Sequence, residues 1–346
     1  MTDGQVDSSD TSEAARRLHV LMSLTAADAL GAATEFKTPA AIEARYGLID
    51  SYRDGSPFGF APGEATDDSQ MTVATLLGYG RGEGEQGVLT ALLDWVKAGP
   101  PDVGGLTGGA LSHRSLDGGY RAWVRGGRNG AGNGGLMRVA AAFIAGFTGE
   151  RLMREAARLT ALTHTDPRCV FASVFLVVLL EGLDKEVPWE AAVEGAVKRT
   201  REFDAAAALV GTLLPPEEAH DYSARQQDAR QEVLSSVEDG LAHEPYSQSG
   251  YVLHTLQAAI SHARSHDWLS SVQGAVMLGD DSDTVACIVG AIQGAKGLAV
   301  PEHLLPPLRL GHSWPGWERG WSCQQHYPAV VQQALQFDHG RPGADA

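Results

Sequence analysis

Small and apolar side chains recur at helical spacing along almost all of this 346-residue chain, and this periodicity constrains the fold most. Leu18, Met22, Ala26 and Leu30 show the pattern near the start of the chain. Alternating patterns with β-branched residues, which are typical of strands, are almost absent. The predicted helices are 13–33, 69–79, 88–97, 135–146, 151–162, 169–183, 189–200, 226–241, 251–263, 268–278 and 285–298. The sequence therefore predicts an all-α protein.

No feature of the sequence divides these helices into separate units. A repeat of fixed period and a linker rich in Ser, Gly and Pro are both absent, so we expect one compact domain over residues 13–310. Residues 1–12 are polar and are expected to form a disordered tail. Residues 311–346 contain a Trp-rich stretch and form a C-terminal extension whose role the sequence does not indicate.

The charge balance excludes some classes of partner. Acidic residues outnumber basic residues by 43 to 27, and no run of Lys and Arg is present, so extended nucleic-acid binding is not expected. The three cysteines are widely spaced, which favours a reducing cytoplasm over a disulfide scaffold. The longest apolar run, residues 169–180, is too short to cross a bilayer and predicts a central buried helix, so no membrane association is expected.

Two acidic clusters lie far apart in the sequence, each where a loop turns into a predicted helix. The first is Thr66-Asp67-Asp68, and the second covers residues 279–284. Both could act simply as helix caps, which is the plain structural interpretation. A cap needs only one side chain, however, and carboxylates a few Å apart repel by roughly 3–4 kcal/mol at an effective dielectric constant of about 20. Mg²⁺ or Mn²⁺ would relieve that repulsion, so spacing alone leaves both interpretations open.

The second cluster also makes a geometric demand on the backbone. Asp281 and Asp283 would point about 200° apart in a regular helix, so they converge only if the chain curls before the helix begins. If the two clusters meet, they supply enough oxygen atoms for two metal ions that share bridging groups. The oxygen donors are Thr66, Asp67, Asp68, Asp280, Asp281, Asp283 and Thr284.

Three further features could bind a ligand, although each has an ordinary structural interpretation. Residues 132–138 form a glycine-rich turn entering a predicted helix, where free backbone N–H groups can hold a phosphate. His164 could bind a phosphate or a ribose hydroxyl, but a histidine near a helix boundary often serves only as a structural hydrogen-bonding group. Tyr251 could stack on a base or ribose, or could be a core aromatic residue.

Taken together and in this order, these segments resemble the ADP-ribosylglycohydrolase family. The matching segments are residues 27–36, 66–72, 132–138, 163–164, 249–252 with Leu256, Ala258 and Ala259, and 279–284 with Gly290 and Gly294. They span about residues 18–297, most of the chain. Two positions depart from the family pattern: Ala27 replaces the usual glycine before Asp28, and Asp280 replaces the usual second glycine before Asp281.

The resemblance implies an orthogonal all-α domain with two Mg²⁺ or Mn²⁺ ions in a cleft. It also implies a hydrolase that removes ADP-ribose from a modified protein or small molecule. The implied metal ligands are Thr66, Asp67, Asp68, Asp281, Asp283 and Thr284. The implied catalytic residues are Glu35, beside the metals, and Asp67. The implied substrate-binding residues are Gly132, Asn133, Gly134, Met137, His164 and Tyr251.

Three other functions stay open at this point. The chain could be a module that binds ADP-ribose or a nucleotide without turnover, or a metal-dependent phosphoesterase that uses the same carboxylates. A structural protein of the crystallin type is the third, although it would be expected to have lost its acidic ligands. The acceptor that carries ADP-ribose, whether arginine, serine, a base or a small molecule, is also open.

Overall fold

The computed structural model describes residues 8–336, with side chains from residue 12 onward. Over this range it contains sixteen α-helices, two short strands, and 3₁₀ turns at Pro216–Glu218 and Glu302–Leu304. The helices are α1 (Ser8–Gly31), α2 (Pro39–Tyr46), α3 (Asp67–Tyr79), α4 (Gly84–Lys97), α5 (Gly105–Leu111), α6 (Gly118–Arg125), α7 (Ala140–Ile144), α8 (Gly149–Ala161), α9 (Pro167–Asp184), α10 (Trp189–Glu202), α11 (Ala205–Leu209), α12 (Ala219–Ala242), α13 (Val252–His262), α14 (Trp268–Leu278), α15 (Ser282–Ala295) and α16 (Cys323–Leu335). The strands are β1 (Glu64–Ala65) and β2 (Arg309–Leu310). The prediction of an all-α fold is confirmed.

Helices α1 and α15 pack closely against each other because small residues face one another along their contact. A Cβ atom added to Gly290 would lie 2.6 Å from the Cβ atom of Ala27, well inside a normal carbon–carbon contact. At the far end of α1, a Cβ atom on Gly31 would lie 2.5 Å from the Cα atom of Asp283. This close packing places the end of α1 against the second acidic cluster.

Helix α9 lies in the core, and every residue from 169 to 180 is buried. Asp166 caps its start by accepting a hydrogen bond from the backbone N–H of Arg168 at 3.1 Å. The predicted central buried helix is therefore present. Within residues 8–336, no helix combines the length and the apolar character that crossing a bilayer requires.

Strand β1 pairs in parallel with β2, with Glu64 opposite Arg309. This pairing holds the chain just before the first acidic cluster. Helix α16 then packs against α1 and α3, and the hydroxyls of Tyr327 and Thr25 are hydrogen-bonded at 2.9 Å. Residues 311–336 are thus attached to the helices that carry the acidic residues.

Some helices differ from the predicted ones. The predicted helix 135–146 is helical only over Ala140–Ile144, and residues 135–139 form turns. Helices α2, α5, α6, α11 and α16 were not predicted. Most of them are too short to show an apolar stripe, and α5 has three glycines in seven residues.

The predicted domain boundaries remain predictions. Helix α1 begins at Ser8, inside the segment 1–12 that was expected to be a tail. The rest of that segment, residues 1–7, lies outside the described residues, as does the end of the predicted extension, residues 337–346.

Candidate active site: two acidic turns and a glycine-rich loop

The first acidic turn comprises residues 66–69 at the start of α3. Thr66 is the N-cap, and its Oγ1 atom accepts a hydrogen bond from the backbone N–H of Asp68 at 3.4 Å. Asp28, on α1, accepts hydrogen bonds from the N–H and hydroxyl of Thr66 (3.1 and 2.8 Å) and from those of Ser69 (3.1 and 2.5 Å). Burial raises the pKa of Asp28 to about 6, although these hydrogen bonds act in the opposite direction. Asp28 therefore fixes the position of the turn.

The second acidic turn comprises residues 279–284 and curls before α15 begins. Gly279 has a φ of 71°, and a Cβ atom there would lie 1.9 Å from the carbonyl oxygen of Lys37, so the position requires glycine. Asp280 is also left-handed, with a φ of 56°. The N–H of Asp281 donates to the carbonyl of Gln248 at 3.0 Å. Backbone hydrogen bonds to neighbouring loops thus hold this turn.

The structure brings the two turns together. Thr284 Oγ1 donates to Asp68 Oδ2 at 3.3 Å. Carboxylate oxygens of Asp28, Asp68 and Asp283 lie within 4.8 Å of one another, and so do those of Glu35, Asp281 and Asp283. Asp283 belongs to both groups, so it lies between them. Either group has the oxygen donors to hold a cation.

Several carboxylate oxygens in this cluster have no hydrogen-bond partner. Over the described residues, Glu35 Oε2, Asp68 Oδ1 and Asp283 Oδ1 are buried and unpaired. Burial and the neighbouring carboxylates, Asp283 first among them, raise the pKa of Glu35 to about 11. Burial also raises the pKa of Asp281 to about 6, and burial together with nearby carboxylates raises those of Asp68 and Asp283 well above the usual range. The cluster needs protons or cations to offset its charge.

Asp102 also belongs to this site, and the sequence analysis missed it. It lies in the loop between α4 and α5, and its side chain is hydrogen-bonded to Asp67. Burial raises the pKa of both carboxyls, and two carboxyls can be hydrogen-bonded only if one of them holds a proton. The sequence signal was weak: a single aspartate after two prolines, in a loop rich in glycine.

The glycine-rich loop lies against the second acidic turn. Asn133 Nδ2 donates to Asp281 Oδ2 at 2.6 Å and to Thr255 Oγ1 at 3.0 Å. The backbone N–H of Asn133 donates to the carbonyl of Gly250 at 3.1 Å. A Cβ atom on Gly134 would lie 2.9 Å from His164 Cε1, so glycine allows the loop to approach the imidazole ring. Asn133 therefore links the loop to the carboxylates.

His164 is a neutral hydrogen-bond donor toward the cleft. Burial, with a smaller contribution from the charge of Arg138, lowers the pKa of His164 to about 3. Arg138 Nη2 donates to Thr163 Oγ1 at 2.7 Å, and Thr163 Oγ1 lies 2.8 Å from His164 Nδ1. The tautomer that satisfies all three groups has the Thr163 hydroxyl donating to Nδ1. The ring proton is then on Nε2, on the side that faces the glycine-rich loop.

These elements enclose a cleft of about 280 Å³. The predicted site residues that line it are Glu35, Asp67, Asp68, Gly132, Asn133, Gly134, Met137, His164, Asp281, Asp283 and Thr284. Thr66 is fully buried behind them. Tyr251 lies beside the cleft without lining it: its hydroxyl accepts a hydrogen bond from Arg168 at 3.2 Å, and its ring contacts His254. A larger cavity of about 620 Å³, around Trp189 and Lys296, contains no such acidic cluster.

Comparison with curated proteins identifies two similar bacterial enzymes. The ADP-ribosyl-[dinitrogen reductase] glycohydrolase of Rhodospirillum rubrum is 26% identical over 292 residues, which cover 81% of this chain and 85% of that protein. The ADP-ribosylarginine hydrolase Tri1 of Pseudomonas putida (strain GB-1) is 26% identical over 295 residues, which cover 80% of this chain and 68% of that protein.

Fold and family comparisons agree with these relatives. A solved structure described as an ADP-ribosylglycohydrolase-related protein complex matches with a TM-score of 0.69 and 24% identity, covering 94% of this chain and 99% of that one. At this identity the match establishes the fold. The sequence profile of the ADP-ribosylglycohydrolase family matches residues 9–324. Because the profile spans most of its length, this chain belongs to the ADP-ribosylglycohydrolase family.

Proposed function

We propose that this protein is a metal-dependent hydrolase that releases ADP-ribose from a modified acceptor. The observation that carries the proposal is the meeting of two acidic turns in one cleft, beside a glycine-rich loop, in a chain of this family. The names of two relatives, a dinitrogen reductase glycohydrolase and an arginine hydrolase, support an ADP-ribosylated protein as the substrate.

The donor set fits divalent cations. Three buried carboxylate oxygens lack hydrogen-bond partners within the described part of the chain. Crowded carboxylates with nearby hydroxyls are the oxygen ligands that Mg²⁺ and Mn²⁺ prefer. The residues that would hold two cations are Thr66, Asp67, Asp68, Asp281, Asp283 and Thr284. When bound, such cations polarise sugar oxygens and lower the pKa of a water molecule. Asp28 has a different role, because hydrogen bonds from Thr66 and Ser69 already occupy its oxygens.

The residues of the chain divide the remaining work between them. Burial and the neighbouring carboxylates raise the pKa of Glu35, so it is ionised only when cations offset their charge. Glu35 Oε2, which has no hydrogen-bond partner among the described residues, would then accept a proton from the attacking water. The oxygen of that water bonds to the anomeric carbon, the bond from this carbon to the acceptor breaks, and the acceptor leaves with the proton that Glu35 took from the water, which restores the carboxylate. Asp67, hydrogen-bonded to Asp102, is a second carboxyl that can hold a proton beside the reacting centre. His164 donates its Nε2–H to a ribose or phosphate oxygen, and the backbone N–H groups of Gly132, Gly134 and Gly135 hold the diphosphate.

The test is release of free ADP-ribose from substrates in which it is linked to arginine, to serine or to a base. We expect release from at least one substrate, loss of release with a chelator, and recovery when Mg²⁺ or Mn²⁺ is restored. Tight ADP-ribose binding without turnover of any substrate would instead support a binding module. Release of AMP in place of ADP-ribose would support a phosphoesterase.

A further inference from the structure

Two residues at the mouth of the cleft share an unusual backbone conformation. Phe36 and Asp280 both have a φ of 56°, in the left-handed region that residues other than glycine rarely adopt. They are also joined to each other. The N–H of Phe36 donates to the carbonyl of Asp280 at 2.7 Å, and the N–H of Asp280 donates to the carbonyl of Lys37 at 3.1 Å. One hydrogen-bonded unit thus presents an aromatic ring and a carboxylate.

Both side chains are open to solvent at the cleft. Phe36 is 65% exposed, although its ring packs edge-on against Phe58 at 6.0 Å, and both Phe36 and Asp280 line the cleft. Asp280 is exposed and forms no ion pair within the described residues. The nearest basic side chain in sequence does not neutralise it, because Lys37 Nζ donates to the carbonyl of Gly55 at 2.8 Å.

The turn does not by itself explain these two residues. Positive φ is easiest for glycine, and the neighbouring Gly279 shows that the chain uses glycine where contact demands it. Phe36 and Asp280 keep their side chains in spite of the strained conformation. Non-glycine residues in this conformation cluster at ligand-binding sites, so two of them side by side at a cleft suggest a binding role. Because the Phe36 ring is 65% exposed, it has apolar surface at the cleft that a ligand could cover.

An aromatic face next to a carboxylate suits one acceptor chemistry. A guanidinium is planar and cationic, so it can stack on an aromatic ring while its N–H groups bind a carboxylate. A serine-linked acceptor offers neither a charge nor a flat group at this point. We propose that Phe36 and Asp280 form the acceptor subsite and select ADP-ribose linked to a guanidinium. This inference rests on the proposed function.

The experiment compares hydrolysis of ADP-ribosylated agmatine, which carries a guanidinium, with that of an ADP-ribosylated serine peptide, at saturating Mg²⁺. Asp280→Asn removes the charge and keeps a residue that tolerates positive φ. We expect kcat/KM for the guanidinium substrate to fall about 5- to 20-fold, mainly through KM, as for loss of a charged hydrogen bond. The serine substrate should change less than about 2-fold. Phe36→Leu should show the same selectivity with a smaller loss, and Phe36→Tyr should retain activity.

Three controls keep the result interpretable. Glu238→Gln removes an exposed charge on α12, outside the cleft, and should change neither substrate. Mg²⁺ titration of Asp280→Asn should give an affinity near that of the wild type, which separates the acceptor effect from a metal effect. If the wild type turns over neither substrate and releases no ADP-ribose from a base-linked substrate either, the proposed function fails. The selectivity is then measured from the binding affinities of the two intact compounds. Equal losses for both substrates, or no loss in Asp280→Asn, would overturn the acceptor subsite.

Discussion

The two acidic turns are built in different ways, although each precedes a helix and each lines the same cleft. The turn at residues 66–69 is fixed by a side chain, because the buried Asp28 carboxylate receives all four of the hydrogen bonds described above. The turn at residues 279–284 is fixed by its backbone, through glycine at position 279 and hydrogen bonds to neighbouring loops. Positioning and ligand binding are therefore assigned to different residues in the first turn. In the second turn the backbone does much of the positioning, and Asp281 and Thr284 make side-chain hydrogen bonds to Asn133 and Asp68.

Among the residues of the two turns, we expect substitution of Asp283 to have the largest effect on activity. Asp283 belongs both to the group with Asp28 and Asp68 and to the group with Glu35 and Asp281. We expect Asp283→Asn to lower kcat by at least about 100-fold and to reduce the amount of bound metal. Residues that only support metal ligands typically cost about 10- to 100-fold when mutated, and the loss of a direct ligand should be larger. The metal-free variant should nevertheless melt a few degrees higher than the metal-free wild type. Burial and nearby carboxylates raise the pKa of Asp283, so this charge opposes folding at neutral pH.

Three measurements check this prediction: steady-state release of ADP-ribose, metal content by mass spectrometry, and calorimetric melting with and without chelator. Glu238→Gln, an exposed change outside the cleft, is the control. A variant that keeps both full activity and its metal would show that Asp283 is not a ligand. A lower melting temperature in the metal-free state would show that its charge is compensated within the protein.

An intermediate effect is expected at Asp28, because it acts through the turn that it holds. Asp28→Asn leaves one acceptor oxygen for four donors, so we expect metal affinity to fall about 10- to 100-fold. Stability should fall by roughly 1–3 kcal/mol as buried donors lose partners. Ser69→Ala removes only the hydroxyl donor and should weaken metal binding less.

Metal titration followed by chemical denaturation distinguishes the two effects. If Ser69→Ala weakened metal binding as much as Asp28→Asn, the separation of positioning from ligand binding in the first turn would be wrong. Unchanged metal affinity in Asp28→Asn would mean that the backbone alone holds residues 66–69.

Much of the fold and the site could be predicted from the sequence, for identifiable physical reasons. The long helices α1, α9 and α15 bury continuous apolar surface, so their spacing is visible in the sequence. The need for a curl before α15 followed from the angle between Asp281 and Asp283, and the structure has that curl. Both acidic clusters were visible because several oxygen ligands lie next to one another in each.

The remaining parts depend on contacts that a linear pattern does not encode. Asp102 is a single carboxylate whose importance comes only from its hydrogen bond with Asp67. Tyr251 lies beside the cleft with its hydroxyl hydrogen-bonded to Arg168, a residue 83 positions away in the sequence. The left-handed conformation of Phe36 depends on a hydrogen bond to a residue 244 positions away, since Asp280 lies in the second turn.

The smallest expected effect tests whether the first turn has a second support, from the C-terminal segment. Glu64, two residues before Thr66, accepts hydrogen bonds from Arg319 at 2.9 and 3.2 Å and is contacted by Arg309 at 3.4 Å. Because Arg319 is more than half exposed, Arg319→Ala should destabilise the protein by less than about 1 kcal/mol. Metal affinity should fall no more than about 3-fold, far less than in Asp28→Asn.

Measuring the stability difference between the wild type and Arg319→Ala over a range of pH tests whether it comes from the ion pair with Glu64. Burial raises the pKa of Glu64, but hydrogen bonds from Arg319 and from the Ala61 N–H outweigh it, so the pKa lies below its usual value of 4.5. A carboxyl with a lowered pKa contributes stability that is present above the unfolded-state value and is lost as the pH falls through the folded-state value. The gap in unfolding free energy between wild type and Arg319→Ala should thus be constant from pH 6 to about 5 and close below about pH 4. A gap that persisted in acid would mean that Arg319 acts through packing, and the first turn would then depend on Asp28 for its charged contacts.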